Sequence, residues 1–226
     1  MRNIPTFIIC VLLFAYQASA QEKINLGIFA GSVTNKFVGD RTSDVAEVRF
    51  QFGNAYQYGI MVDYGLKSDV YLAFTPSFKL SKGNLQEINP DYVLNSDQSF
   101  ITTKNISLHY LSLPLELKLI SDNQHWQFFT GLIYNQLLSA KGKNTRTNET
   151  SDLSQAIKNY NFSAMVGLGY RLHIFKQLIT LDLRYTQGLI NISEGEQQNT
   201  QNLPRLKTTS VESRLTWVLP IGKKDK

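Results

Sequence analysis

The run from Asn105 to Ser139, NISLHYLSLPLELKLISDNQHWQFFTGLIYNQLLS, constrains the fold more than any other part of the chain. It holds two long segments separated by the polar break Ser121-Asp122-Asn123-Gln124. In the first, Leu111, Leu113, Leu115, Leu117 and Leu119 alternate with Ser112, Pro114, Glu116 and Lys118. A period of two puts the leucines on one face of a strand and the polar set on the other. In the second, Trp126, Phe128, Leu132, Tyr134 and Leu138 share a face, with Gln127, Gly131 and Asn135 opposite. Each segment runs about fifteen residues, whereas strands of soluble proteins run about five or six. A bilayer takes about 9–11 tilted residues per strand, so the length points to a hairpin of a membrane barrel.

The first twenty residues, MRNIPTFIICVLLFAYQASA, read as a cleaved signal peptide. Arg2 supplies the positive end, Phe7 to Tyr16 the apolar core and Ala18-Ser19-Ala20 the small-residue cleavage pattern. The apolar core is about half the length of a spanning helix. Cys10 lies inside it and is the only cysteine. Residues 21–226 therefore have no thiol for a disulfide, a cysteine metal site or nucleophilic catalysis. They are expected to form one domain, the barrel. Arg2 is the one charged residue of the first twenty, so its removal takes the formal charge from +5 to +4. The remaining basic residues are scattered and form no stripe with interleaved aromatics, so nucleic acid is not an expected partner.

Taken in order, the chain shows eight alternating segments. Ile24 to Gly31 is the first, followed by a polar stretch from Ser32 to about Asp44. Val45 to Phe52 resumes the alternation, which is clearest from Ala55 to Tyr64. Gly65 to Ser68 is a short turn, and Val70 to Leu80 a third strand. A long polar segment, Ser81 to Lys104, leads into the hairpin above. Lys141 to Lys158 is again polar. The sixth strand carries Phe162, Val166, Leu168 and Tyr170 against Ser163, Gly167, Gly169 and Arg171. A tight break expected at Lys176-Gln177 leads to a seventh, with Ile179, Leu181, Leu183 and Tyr185 against Thr180, Asp182, Arg184 and Thr186. After Asn191 to Arg205, the last strand sets Val211, Leu215, Trp217 and Leu219 against Ser210, Glu212, Arg214 and Thr216.

Eight strands with connections alternating long and short give an all-β, antiparallel, up-and-down transmembrane barrel. With the first connection long, both termini fall on the periplasmic side. Outward aromatics group by depth: Tyr64, Trp126, Tyr170 and Trp217 near that edge, and Tyr56, Tyr134 and Tyr185 near the other. These are candidate membrane-interface girdles. Pro76 and Pro114 each remove a ladder donor within a strand, so a bulge is expected at each.

At Tyr110-Leu-Ser-Leu-Pro-Leu-Glu-Leu-Lys-Leu119 the chain resembles the Bacteroidota outer-membrane β-barrel proteins called PorT-like. The likeness continues in Phe129 to Ala140, Ala164 to Arg171, Leu181 to Ile192 and the turn Gly65 to Ser68. It implies an eight-stranded barrel in the outer membrane of a Gram-negative bacterium. It carries over no catalytic residues, and it brings type IX secretion as one role found in the family. The chain departs from the common pattern at its end, where Lys223-Lys224-Asp225-Lys226 replaces a terminal aromatic.

The candidate site is the lumen. Asp63, Lys79, Glu116, Lys118, Arg171, Asp182, Arg184, Glu212 and Arg214 all fall on inward positions, and their charges nearly balance. An eight-stranded barrel is only wide enough for side chains to fill, so these read as a packed polar core, with a small porin-like channel as the alternative. If the break is Lys176-Gln177, Arg171 lies opposite Asp182. A secreted lipocalin-like carrier would also have eight strands but an apolar interior, which the charged inward faces oppose. A lipid-modifying barrel enzyme would need more than Ser107 and His109, which share a face without an orienting carboxylate. His109, His125 and His173 lack ligand spacing, and Asp91, Asn95 and Asp97 lack the glycine turn and closing glutamate of a calcium loop. No metal or cofactor is expected. Lys141, Lys143 and Arg146 would stand outside the cell beside lipopolysaccharide phosphates. The long loops would meet envelope or secretion-system proteins. The expected role is non-enzymatic, structural or interactive.

Overall fold

The computed structural model describes residues 24–39, 42–43, 46–88, 101–175, 177–193 and 206–219. The leader at 1–20 and the acidic segment around Asp91 lie outside the described residues. Eleven strands are present: β1 (Ile24–Gly39), β2 (Thr42–Ser43), β3 (Ala46–Gly65), β4 (Val70–Phe74), β5 (Ser77–Ile88), β6 (Ile101–Ile120), β7 (Trp126–Asn144), β8 (Thr150–Asp152), β9 (Tyr160–Ile174), β10 (Gln177–Gly188) and β11 (Leu206–Leu219). β4 and β5 are two halves of one stave, while β2 and β8 only extend the sheet at the long-connection end, on β3 and β7. The remaining order is sequential and antiparallel, and β11 returns to pair with β1 from Leu26↔Leu219 to Gly39↔Leu206. The result is a closed barrel of eight staves. Closure leaves the membrane-crossing staves no free edge, the one sheet arrangement that satisfies its backbone in lipid.

The staves are longer than the alternation suggested. β1 continues to Gly39, β5 to Ile88 and β7 to Asn144, and β6 starts at Ile101. Each takes in residues that read as polar connections. Polarity marks where a strand leaves the apolar solvent, not where its hydrogen-bonded ladder ends.

The expected bulges at Pro76 and Pro114 are absent. The two prolines belong to one gap in the ladder, between Phe74↔Leu115 and Ser77↔Ser112, and the register is the same on both sides of it. Each proline still accepts where it cannot donate: Thr75 N donates to Pro114 O at 3.2 Å and Ile60 N to Pro76 O at 3.1 Å, so both neighbouring strands stay in register without an inserted residue. The register shifts occur instead between Phe52 and Gln57 on β3 and between His109 and Tyr110 on β6.

The break between β9 and β10 is also one step earlier than expected. Ile174 pairs with Gln177, so the connection is 175–176, and Phe175 takes the left-handed φ of 47° that the turn requires. Arg171 therefore faces Thr180, and Asp182 faces Gly169. The expected Arg171–Asp182 pair does not form.

Side chains obey the alternation. Leu132, Val166, Leu181, Leu183 and Leu215 each expose 51–62% of their surface on the outside of the wall. They belong to a continuous apolar belt, far larger than a water-soluble monomer tolerates. Trp126 and Tyr170 meet edge-on at 5.0 Å between ring centroids at the short-turn end, with His125 stacked on Tyr170. Tyr64 and Trp217 are outward near the same end. Tyr134 packs on Phe162 toward the other end, where Tyr185 bonds Gln187.

Candidate functional site

The interior is filled in layers. Near the short-turn end Phe29, Met61 and Val218 cluster, with Leu178 against them. A larger apolar cluster closes the long-connection end: Phe37, Leu85, Ile106, Leu108, Tyr110, Leu137, Ala140 and Leu206 from the staves, with Leu153, Ile157 and Ile192 from the connections. Those connections are tied inward by backbone bonds, Leu153 N to Ala140 O at 3.0 Å, Lys158 N to Ile192 O at 2.7 Å and Ile192 N to Leu206 O at 2.8 Å.

Between the apolar layers lies an ionic network. All nine expected lumen residues are buried, five cations and four carboxylates. The β10–β11 register sets Asp182 opposite Arg214 and Arg184 opposite Glu212. Arg214 does turn to its neighbour, with Nε 3.0 Å and Nη2 2.8 Å from Asp182 Oδ2. Arg184 does not. It crosses the lumen to grip Glu116 on β6 through both carboxylate oxygens, at 2.7 and 2.9 Å. Glu116 also accepts from Thr75 Oγ1 at 2.5 Å. Glu212, left by Arg184, takes Lys79, with Gln57 Nε2 at 2.9 Å and Ser210 Oγ at 3.0 Å. Asp63 pairs with Lys118 at 2.8 Å. Arg171 has no ion pair among the described residues.

The Arg184–Glu116 and Lys79–Glu212 braces join staves three places apart around the ring of eight, so they hold the cross-section as well as neutralise charge. A bidentate arginine–carboxylate contact is the strong form of such a pair. Arg184 and Arg214 also lie over the rings of Phe129 and Phe29, at 4.4 and 4.5 Å from the centroids, which adds cation–π attraction in a desolvated place. Gly169 makes room for this packing. A Cβ there would lie 2.3 Å from Asp182 Oδ1 and 2.9 Å from Gln127 Cγ. The space left among Gln57, Lys79, Arg184, Glu212 and Arg214 is about 10 Å³, at the lower limit for a single water.

Parity alone could find the nine charged residues. The alternation also turns the neutral partners Thr75 and Gln127 inward, whereas Gln57 and the plug residues Leu153, Ile157 and Ile192 are not among the residues expected there. Gln57 sits on an inward position, and that is the signal that could have found it. The three plug residues sit in connections, where no periodicity marks them. Ser107 and His109 are on the outward face of β6, opposite Lys82 and Leu80. His109, His125 and His173 stand apart, and among the described residues no group of His, Cys, Asp or Glu could hold a metal ion.

The sequence matches the family model of the outer membrane protein beta-barrel domain over residues 15–194. The chain belongs to this family. No curated protein matches it in sequence. Among solved structures it is similar to Ail, the attachment invasion locus protein of Yersinia pestis, at 11% identity and a TM-score of 0.48, over 88% of this chain and 100% of Ail. Neisserial surface protein A is similar at 10% identity and a TM-score of 0.42, over 85% and 96%. So is the outer membrane protease OmpT of Escherichia coli, at 8% and 0.42, over 87% and 95%. The set includes a protease, so likeness to these barrels decides nothing about catalysis. As an outer-membrane barrel, the chain has lipid for its outer solvent, and its apolar belt is the surface that lipid contacts.

Proposed function

We propose that this outer-membrane barrel is a closed, non-enzymatic anchor that displays its long connections to the cell exterior. The observation that carries this reading is the lumen, where among the described residues apolar clusters lie toward both ends with ion-paired side chains between them. A porin-like path would need water where Arg184, Arg214, Glu116 and Asp182 are in contact. A carrier would need a cavity of ligand size. Residues 1–20 direct export, and the short connections with both termini face the periplasm. The outward partners are outer-leaflet lipopolysaccharide, near Lys141, Lys143 and Arg146, and envelope proteins, including those of a secretion system, that meet the loops. In this region Ser154 bonds the Asp152 carboxylate at 2.6 and 2.9 Å and holds its pKa below the usual value.

The orientation can be tested because the only cysteine lies within the leader. Thr147→Cys in the β7–β8 turn is expected to react with a membrane-impermeant maleimide on intact cells. Asp122→Cys in the β6–β7 turn is expected to react only after the outer membrane is permeabilised. The reverse pattern would invert the barrel and overturn the reading.

A further inference from the structure

We infer that the β1–β3–β5–β6 face binds one phosphorylated glycolipid of the outer leaflet, an acyl chain in a groove of the wall and a phosphate at Lys36 and Lys82. The inference rests on the outer-membrane reading above and gives the outer-leaflet lipid a defined site on the wall, other than Lys141, Lys143 and Arg146. The groove has a volume of about 480 Å³ and is lined by Ile28, Tyr58, Ile60, Phe78 and Leu111 around Gly59 and Pro76. Its origin is local. The two-proline gap interrupts the ladder here, and Gly59 brings the backbone so close to β5 that a Cβ would lie 2.2 Å from Pro76 O. The wall is therefore thin, and the outward rings of Tyr58 and Phe78, 5.8 Å apart, stand as a rim. An apolar recess opening into the membrane belt accepts hydrocarbon.

The same staves carry the cations. On β5, Lys82 shares the outward face of Phe78, four residues farther toward the long-connection end, or about 13 Å along the strand. On β1, Lys36 shares the face of Ile28. The two lysines stand at one height, because the Asn35 side chain donates to the Lys82 carbonyl at 3.2 Å. Among the described residues neither ammonium has a carboxylate partner. Lys36 lies 5.3 Å from the centre of the exposed Phe52 ring, which positions it while leaving donors for an anion. A ligand with hydrocarbon below and negative charge above matches this pair of features. In the outer leaflet that chemistry belongs to phosphorylated glycolipid.

The test uses the purified, folded barrel in detergent micelles, with native mass spectrometry of bound diphosphoryl lipid A and of its dephosphorylated form. Heat-dependent gel migration checks the fold of each variant. The parent barrel is expected to prefer the phosphorylated form at least about tenfold, as charge-assisted hydrogen bonds allow. Lys36→Gln combined with Lys82→Gln should remove that preference. Leu111→Trp, which fills the groove, should weaken binding of both lipids about tenfold. Equal affinity of the parent for the two lipids, or either variant binding as the parent does, overturns the assignment. A barrel that conducts ions yet keeps the lipid preference would sink the closed-lumen reading and leave this one standing.

Discussion

Arg184→Ala is expected to lower the folding stability of the barrel by about 3–5 kcal/mol, because it leaves the Glu116 carboxylate buried without its bidentate partner. Glu116 is fully buried, and its next cation, Arg214 Nη1, stands at 3.8 Å, too far to replace two direct bonds. Glu116→Ala should cost a similar amount by stranding Arg184. The double variant should cost less than the sum of the two, by about 0.5–3 kcal/mol of coupling. Urea unfolding in phospholipid vesicles, followed by Trp126 and Trp217 emission, measures all three. Arg171→Ala should lose less, since Arg171 has no ion pair among the described residues. Strict additivity for Arg184 and Glu116 would mean that the brace across the lumen is not formed.

The second large effect concerns the outer face. Leu183→Arg puts a guanidinium on the belt at mid-strand, and its cost near the bilayer midplane is about 2–4 kcal/mol. Leu189→Arg, equally apolar and exposed but beyond the end of β10, should cost about 0–1 kcal/mol, as charges near the interface do. The same vesicle titration compares them. Equal losses would contradict the inside-outside assignment or the depth of β10. A lumen substitution such as Thr186→Arg is no neutral control, because Thr186 is buried and donates to Glu212 at 3.2 Å.

How much of this was legible in the sequence follows from which physical constraint each feature obeys. Stave number, order and facing were readable, because lipid outside and side chains inside impose a period of two on every residue that crosses the membrane. The inward set Lys79, Lys118, Asp182, Arg184, Glu212 and Arg214 follows from that period alone. Which of them meet does not. Arg184 ignores its cross-strand neighbour Glu212 for Glu116, 68 residues away in sequence, a choice made by the curvature of the closed wall.

Register was less legible than facing. The 175–176 turn hinges on one residue, Phe175, taking a positive φ, and nothing about phenylalanine announces that. A step of one in the turn shifts pairing by two and keeps every side chain on its face. The hydrophobic pattern therefore could not detect the error, which moved Asp182 from Arg171 to Gly169. The apolar plug was hidden differently. Leu153, Ile157 and Ile192 sit among polar residues in connections, and only the folded loops bring them together over the barrel mouth.

A barrel whose lumen is closed by its own side chains should not pass ions. Planar-bilayer recording of the purified, refolded barrel tests this most directly. No steady ion conductance above the bare bilayer is expected at either polarity. Reproducible unitary steps from the parent protein, with the heat-dependent gel shift showing it folded, would mean that the lumen is open.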